Sequence, residues 1–336
     1  MDRKMKAAVL SGYGSPEVIH CKEVEIPKPK TREVLVKIHA SSATRADSMM
    51  RTGKPFIGRL ILGLRKPKHT IPGTGFAGEI VEIGPDVTSF NLGDQVFGET
   101  TTNFSTNAEY AVVPEKGVIL HKPENLSYES ASTFCDGNLT SINFLKNVGL
   151  LKPGQKILIN GASGSLGTSA VQLAKYMGAE VTAVCSYRNV GMVKSLGADH
   201  VIDYTKEDFT KGKIQYDLIY DTIGKSSFDK TKSILTKNGA YISPVLKFPL
   251  LVKMLLTTIF GKKKARFEAT GMKKEEELKE LLTELVKIFK EGKLKSVIDR
   301  QYPLEKVSQA HAYIDTGRKK GNVVIINAST TEKKEL

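Results

Sequence analysis

Residues Lys156–Lys175, KILINGASGSLGTSAVQLAK, decide the fold of this 336-residue chain. The apolar run Lys156–Asn160 leads into a glycine-rich turn, and alanine and valine then recur at helical spacing. Such a strand–turn–helix presents backbone N–H groups and the positive end of a helix dipole, and its glycines let a pyrophosphate approach the backbone. The pattern predicts a dinucleotide-binding turn. The spacing of Gly161, Gly164 and Gly167 is GxxGxxG instead of GxGxxG, so a plain glycine-rich turn is the alternative.

The residues of this turn are the predicted contacts of the dinucleotide. Its backbone N–H groups and small side chains face the place where the pyrophosphate would lie. The predicted cofactor-binding residues of the turn are Gly161, Ser163, Gly164, Ser165, Leu166 and Gly167.

The end of the next strand, Glu180–Cys185, predicts which dinucleotide binds. A site that prefers NAD carries an Asp or Glu there, which binds both hydroxyls of the adenosine ribose. Here the strand is followed by Ser186, Tyr187 and Arg188, with no acid. Ser186 and Arg188 can hydrogen-bond and neutralise a 2′-phosphate, and the alternative is an ordinary solvated arginine. We therefore expect NADPH to be the cofactor.

The rest of the chain predicts an α/β protein of two domains. Residues 1–125 are rich in short β-type runs broken by Gly and Pro, which predicts a mostly antiparallel β domain. Residues 126–266 alternate apolar strands with helical stretches, which is typical of a parallel sheet with helices on both faces. Residues 267–336 hold a strong helix at Lys273–Glu291 and a last strand at Val323–Ile326, and we expect them to return to the first domain.

Composition narrows the class of protein. Three widely spaced cysteines exclude a disulfide scaffold and a CxxC-type zinc module. The N-terminal residues contain no apolar run typical of a signal peptide, so we expect the protein in the cytoplasm. The formal net charge of +14 favours anionic partners without choosing among phosphate, acidic lipid and nucleic acid.

One segment, Val245–Phe260, is strongly apolar and is followed by Lys262, Lys263, Lys264 and Arg266. Lysines interrupt the run, so it is not a transmembrane helix. One interpretation is a substrate-pocket wall or a contact between subunits. The other is peripheral attachment of residues 245–266 to an acidic membrane, with apolar side chains inserted and lysines at the headgroups.

Several motifs along nearly the whole chain are similar to one family. The chain resembles the zinc-independent quinone oxidoreductase branch of the medium-chain dehydrogenase/reductase superfamily. The matching pieces are Met5–Leu10 (MKAAVL), Asp47 with Arg51–Gly53, Pro72–Val81 (PGTGFAGEIV), Leu92–Val96, Gly137–Thr140, Lys152–Gly154, the glycine turn and Leu196–Tyr204.

This resemblance implies a fold and a set of site residues. It implies a GroES-like β domain made from both termini, a central Rossmann domain with a doubly wound parallel sheet, and a cleft holding NADPH and substrate. Thr44 and Asp47 are the implied catalytic candidates, with loop packing and loop fixation as their alternatives. Thr140 and Thr222 are expected near the nicotinamide, with a buried helix-cap threonine as the alternative for Thr140. Tyr204 is expected near the adenosine phosphate. Relatives make a homodimer the expected assembly.

The chain departs from the metal-dependent relatives at the zinc ligands. The positions of the catalytic ligands read Thr44, Thr74 and Gly75, and Cys135 alone cannot hold zinc, which needs about three protein ligands. We expect no metal.

The predicted function is NADPH-dependent reduction of a quinone or an α,β-unsaturated carbonyl by direct hydride transfer. The alternative is an NADPH-binding protein with little turnover that binds RNA or an acidic membrane surface. Nucleic acid is the less expected of these partners.

Overall fold

A computed structural model describes residues 3–54 and 56–327 of the chain. These residues form two compact units. The first unit contains residues up to Asp136 together with Lys274–Thr283 and the chain from Ser296 onward, and the second contains Gly137–Lys273 and Glu284–Lys295.

The strands are numbered in chain order. They are β1 (Lys4–Leu10), β2 (Ile19–Glu25), β3 (Glu33–Ala43), β4 (Gly75–Ile83), β5 (Gln95–Glu99), β6 (Tyr110–Pro114), β7 (Val118–His121), β8 (Lys156–Asn160), β9 (Glu180–Cys185), β10 (His200–Asp203), β11 (Tyr216–Asp221), β12 (Leu235–Ile242), β13 (Lys264–Arg266), β14 (Ile298–Pro303) and β15 (Asn322–Ile326).

The α-helices are numbered in the same way. They are α1 (Arg45–Thr52), α2 (Arg59–Leu62), α3 (Tyr128–Ser132), α4 (Leu139–Asn143), α5 (Ser165–Tyr176), α6 (Val190–Ser195), α7 (Phe228–Thr231), α8 (Phe248–Phe260), α9 (Glu275–Lys290) and α10 (Val307–Asp315). Short π-helical segments, Phe134–Asn138 and Phe144–Val148, flank α4. In the described ranges no helix is both long and apolar enough to cross a bilayer.

The second unit is built on a six-stranded parallel sheet in the order β10-β9-β8-β11-β12-β13. Leu158, Val184 and Ile219 lie in its core and are completely buried. The strands read as near-continuous apolar runs because both faces of a parallel sheet are covered. This is the doubly wound parallel sheet that the sequence predicts, and the prediction is confirmed.

The first unit is built on a seven-stranded sheet in which β15, β3, β4, β5 and β7 follow one another with antiparallel pairing. Strand β15 pairs with β3, Val323 opposite Ala43, so the last described strand of the chain belongs to the sheet of the first unit. Strands β1 and β2 form a separate antiparallel pair. The mostly antiparallel β domain that the sequence predicts is confirmed.

The borders of the units differ from those that the sequence pattern suggests. Residues up to Asp136 belong to the first unit, instead of ending at 125, because α3 packs on β3, β4 and β5. Residues up to Lys273 belong to the second unit, instead of ending at 266. The helix α9, expected wholly in the returning part, is divided, and Glu284–Lys295 go with the second unit.

Arg51 is a fully buried cation in the first unit. Its guanidinium donates to the carbonyl oxygen of Gly14 at 2.7 Å and pairs with the carboxylate of Asp315 on α10. Arg45 approaches the same carboxylate at 3.7 Å but is largely exposed. Arg51 therefore fixes α1 against α10 from inside the protein.

We predict that Arg51→Met lowers the free energy of unfolding by about 2–4 kcal/mol, because Asp315 and the Gly14 carbonyl lose a buried charged donor. The control Arg45→Met removes an exposed partner of the same carboxylate and should cost at most about 1 kcal/mol. Urea denaturation followed by circular dichroism measures both. Equal losses for the two variants would contradict the assignment.

Candidate functional site

The glycine turn after β8 is shaped by one very close backbone approach. A Cβ at Gly167 would lie 2.2 Å from the carbonyl oxygen of Gly161, so only glycine allows α5 to start this close to the strand. Gly161 itself has φ +82°, the left-handed region that favours glycine. At Gly164, the N-cap of α5, a Cβ would meet nothing nearer than 3.5 Å. The turn is therefore tight on its inner side and open at the helix start.

Neighbouring helices hold the turn in place. The hydroxyl of Ser141 donates to the carbonyl oxygen of Leu166 at 2.9 Å, which ties α4 to the first turn of α5. The carbonyl of Ser165 accepts from the hydroxyls of Thr168 and Ser169 at 3.0 Å. Thr140 precedes Ser141 on α4 and is half-buried. The structure thus brings the predicted residue Thr140 into the helix that packs on the nucleotide turn.

The end of β9 also meets the glycine turn. Asn189 donates to the hydroxyl oxygen of Ser163 at 2.9 Å and to that of Ser186 at 3.3 Å. Arg188 lies between Ser186 and Asn189 in sequence and is exposed, as is the ring of the preceding residue, Tyr187. The structure therefore places Ser163, Ser186 and Arg188 in one small region.

Strand β10 contributes to the same edge of the sheet. The amide of Tyr204 donates to the carbonyl oxygen of Cys185 at 3.2 Å, and its ring is exposed. The amine of Lys206 lies 5.1 Å from the ring centroid of Tyr187. Lys206 adds a second cation to the region of Arg188.

The carboxyl ends of β8, β11 and β12 are joined by Asp221, which is fully buried. Its two carboxylate oxygens accept from the side-chain amide of Asn160 at 2.9 Å and the hydroxyl of Tyr241 at 2.8 Å. Its second oxygen also accepts from the backbone N–H of Ser226 at 2.8 Å. Thr222 follows, and its hydroxyl donates to the carbonyl oxygen of Asn160 at 2.8 Å. Asp221 is therefore a positioning group, and it presents Thr222 at the sheet edge.

These residues fit a nicotinamide dinucleotide. The carboxyl edge of a parallel sheet at the start of a long helix is where such cofactors bind. Asn189 buries a side-chain oxygen that has no hydrogen-bond partner among the described residues, next to Ser163 and Ser186. An unsatisfied acceptor beside an open glycine turn is a feature that a donating hydroxyl of a bound ribose would satisfy.

In the first unit, Thr44 and Asp47 form the capping box of α1. The Asp47 carboxylate accepts from the amide of Thr44 at 2.7 Å and from its hydroxyl at 2.8 Å, and also from the amide of Gly73 at 3.0 Å. Both side chains are buried. Burial raises the pKa of Asp47 to about 6, and these hydrogen bonds oppose that rise. The arrangement gives both residues a loop-fixing role, and their catalytic assignment stays a prediction.

Asp47 belongs to a group of acidic side chains that the motifs did not reveal. Burial, with the negative charges of Asp136 and Asp47, raises the pKa of Glu99 to about 8. Strand pairing places Glu99 opposite Gly75. The buried Cys135 lies beside Glu99 and Asp136, and burial raises the pKa of its thiol far above the usual value.

A lysine completes this acidic group. Burial lowers the pKa of Lys319, and the charges of Asp136 and Asp299 oppose that change. The Lys319 amine donates to the carbonyl oxygen of Gly321 at 3.1 Å. The group of Asp47, Glu99, Asp136 and Lys319 thus comes from four separate stretches of sequence, which is why no local pattern predicts it.

The second unit also carries a buried thiol, at the last residue of β9. Burial raises the pKa of Cys185 to about 11.

Over residues 3–54 and 56–327, no three His, Cys, Asp or Glu side chains are grouped to hold a metal ion.

Comparison with known proteins agrees with this geometry. Residues 30–124 match the alcohol dehydrogenase GroES-like domain, and residues 196–325 match the family described as zinc-binding dehydrogenase. A chloroplast quinone oxidoreductase of Triphysaria versicolor is 34% identical, over 96% of this chain and 98% of that protein. An NADPH-dependent alkenal/one oxidoreductase from the chloroplast of Arabidopsis thaliana is 29% identical, over 96% of this chain and 80% of that protein.

A solved structure is similar over nearly the full length of the chain. The quinone oxidoreductase from Coxiella burnetii has a TM-score of 0.86 and 29% identity, and covers 96% of this chain and 99% of its own.

Fold, nucleotide turn and relatives together define a medium-chain dehydrogenase/reductase, an oxidoreductase that uses a nicotinamide cofactor. Within that superfamily, the chain belongs to the zinc-independent quinone oxidoreductase-like branch.

The acidic group predicts how stability depends on pH. The pKa of Glu99 is about 8 in the folded protein, above the value of 4.5 for an ordinary glutamate. Between these values the folded state keeps a proton that the unfolded state releases, so stability falls as pH rises toward and through 8. We expect the Tm to fall by several degrees between about pH 6 and pH 9.

The variant Glu99→Gln should remove most of this fall, because glutamine does not titrate. The matched control Glu124→Gln changes an exposed glutamate of the same unit and should keep the wild-type slope. Differential scanning fluorimetry over this pH range measures the three slopes. A wild-type slope in Glu99→Gln would show that this carboxyl does not hold the proton.

Proposed function

We propose that the chain is an NADPH-dependent reductase of quinones or α,β-unsaturated carbonyl compounds. The observation that carries the proposal is the end of β9, where Ser186 and the exposed Arg188 stand in place of the carboxylate of an NAD site. Asn189 joins Ser186 to Ser163 of the glycine turn. That arrangement supports a phosphorylated adenosine ribose.

The relatives support the type of reaction. The names of two of them describe reduction of quinones and of alkenals or enones, and the second name includes NADPH. Both classes of acceptor are electrophilic and accept a hydride directly.

NADPH, when bound, supplies a hydride from C4 of its nicotinamide. The residues of this chain then bind, orient and polarise. The glycine turn and the start of α5 hold the pyrophosphate, and Ser186, Arg188 and Tyr204 hold the adenosine phosphate end. Thr140 and Thr222 orient the nicotinamide end. In this proposal Asp47 fixes the loop of Thr44, protein N–H or hydroxyl groups polarise the substrate carbonyl, and water supplies the proton.

Two further features belong to this proposal. We expect a homodimer, which light scattering at several protein concentrations measures, and a cytoplasmic location, which microscopy of the tagged full chain measures.

The reaction itself is tested with purified protein, NADPH and a panel of quinones, alkenals and enones. We expect NADPH oxidation that depends on the acceptor. With alkenals and enones we also expect incorporation of deuterium into a C–D bond of the product from C4-deuterated NADPH. Tight NADPH binding with no acceptor-dependent oxidation across the panel would overturn the proposal. If salt-sensitive RNA binding accompanied that failure, it would favour the alternative of a binding protein.

The cofactor preference is tested at Arg188. Its charge-assisted hydrogen bond to a 2′-phosphate is worth about 1.5–3 kcal/mol, so Arg188→Ala should weaken NADPH binding roughly tenfold to a hundredfold and leave NADH nearly unchanged. Lys237→Ala is the control, because it removes the same charge from an exposed residue near the amino end of β12. Paired fluorescence titrations give the dissociation constants. A wild type that prefers NADH, or equal losses for both cofactors, would refute the assignment.

A further inference from the structure

The helix α8 exposes its apolar side chains in an unusual way. A surface helix normally turns its apolar face to the core and its polar face to water. On α8 the exposed apolar residues include Phe248 and Phe260, which are 79% and 82% exposed. The full exposed set is Phe248, Val252, Leu255, Leu256, Ile259 and Phe260.

These residues share one face of the helix. Positions 248, 252, 255 and 259 are separated by four, three and four residues, which is the spacing of a continuous stripe. The opposite face carries the buried residues Leu250 and Thr257. Beneath it lies a cavity of about 200 Å³ whose lining includes Tyr241, Val245 and Leu250. The inner face of α8 thus packs against the second unit, whereas the apolar stripe on its outer face is exposed.

The charged side chains of the segment that carries α8 are all cations. Between residues 245 and 267 the chain has six cations and no acid. The amine of Lys263 donates to the carbonyl of Lys232, and that of Lys264 donates to the carbonyl of Thr257 at 2.8 Å. Backbone carbonyls do not neutralise these charges, and Lys262 is exposed. Lys253 is the member of this group that pairs with a carboxylate, that of Asp229 at 2.8 Å.

We propose that α8 and the lysines after it form a docking surface for an anionic lipid bilayer. The apolar stripe enters the boundary between headgroups and acyl chains, and the cations contact the negative headgroups. An apolar patch of this extent is otherwise avoided on the surface of a soluble protein.

Charge favours a bilayer over a second copy of the chain. A symmetric contact pairs a surface patch with itself, so two α8 faces would bring together cations that outnumber Asp229, the acid paired with Lys253. An acidic lipid surface supplies the missing negative charge instead. The proposal does not depend on the substrate or on the cofactor.

The chain contains no tryptophan, which allows a local optical probe. Phe260→Trp places the single indole on the exposed stripe, and Leu92→Trp places it on an exposed residue of the first unit. With vesicles of phosphatidylcholine and phosphatidylserine, we expect a blue shift of the emission for Phe260→Trp alone. No shift, or an equal shift for Leu92→Trp, would overturn the proposal.

Vesicle co-sedimentation of the full chain gives the energetic test. We expect binding to the mixed vesicles that weakens with salt, and little binding to phosphatidylcholine alone. Leu255→Gln/Ile259→Gln should reduce binding at least about tenfold, since two buried apolar side chains are lost from the interface. The control Leu92→Gln/Met272→Gln changes two equally exposed apolar residues and should bind as the wild type.

Two other results would count against the bilayer. One is equal sedimentation of the stripe variant and the wild type with mixed vesicles. The other is a blue-shifted emission of Phe260→Trp without lipid that depends on protein concentration, which would assign the stripe to a second copy. Circular dichroism shows whether each variant is folded without relying on NADPH, so a failure of docking and a failure of the proposed reaction are measured separately.

Discussion

The buried carboxylate of Asp221 is the interaction on which the nucleotide edge of the second unit depends. A parallel sheet aligns the carboxyl ends of its strands but does not fix the turns that leave them. Asp221 does so by accepting hydrogen bonds from Asn160 on β8, Tyr241 on β12 and the amide of Ser226. Because the carboxylate is fully desolvated, loss of one donor leaves a buried charge less compensated. Asp47 plays the same part in the first unit, where it joins the N-terminus of α1 to Gly73.

Much of this fold follows from sequence periodicity. The strands β8 and β9 have the predicted bounds, Lys156–Asn160 and Glu180–Cys185, because a buried parallel strand is a continuous apolar run. The helix α9 was expected at Lys273–Glu291 and spans Glu275–Lys290, with Leu278, Leu282 and Leu285 completely buried. Short edge elements such as β13, only three residues long, carry no such signal.

The candidate site was predicted unevenly, for a physical reason. Residues close together in sequence, such as those of the glycine turn, can be predicted because their spacing specifies a backbone conformation. The group around Glu99 is not, because Asp47, Glu99, Asp136 and Lys319 are brought together by strand pairing and helix packing. The hydrogen bond from Asn189 to Ser163 joins residues 26 positions apart, so no local sequence pattern predicts it either. A local sequence pattern can thus predict where a cofactor binds. It does not predict which side chains have shifted pKa values, because those depend on residues that are distant in sequence.

The burial of the cysteines has a chemical consequence for an enzyme whose substrates are electrophiles. Quinones and enones alkylate thiols, and the reactive species is the thiolate. Cys135 and Cys185 are buried, and burial raises the pKa of both thiols; Cys21 is half-buried, and its pKa is raised too. At neutral pH each sulfur therefore stays protonated, and two of the three are shielded from solvent. The three thiols are therefore poor targets for alkylation by the quinones and α,β-unsaturated carbonyl compounds that we propose the protein reduces.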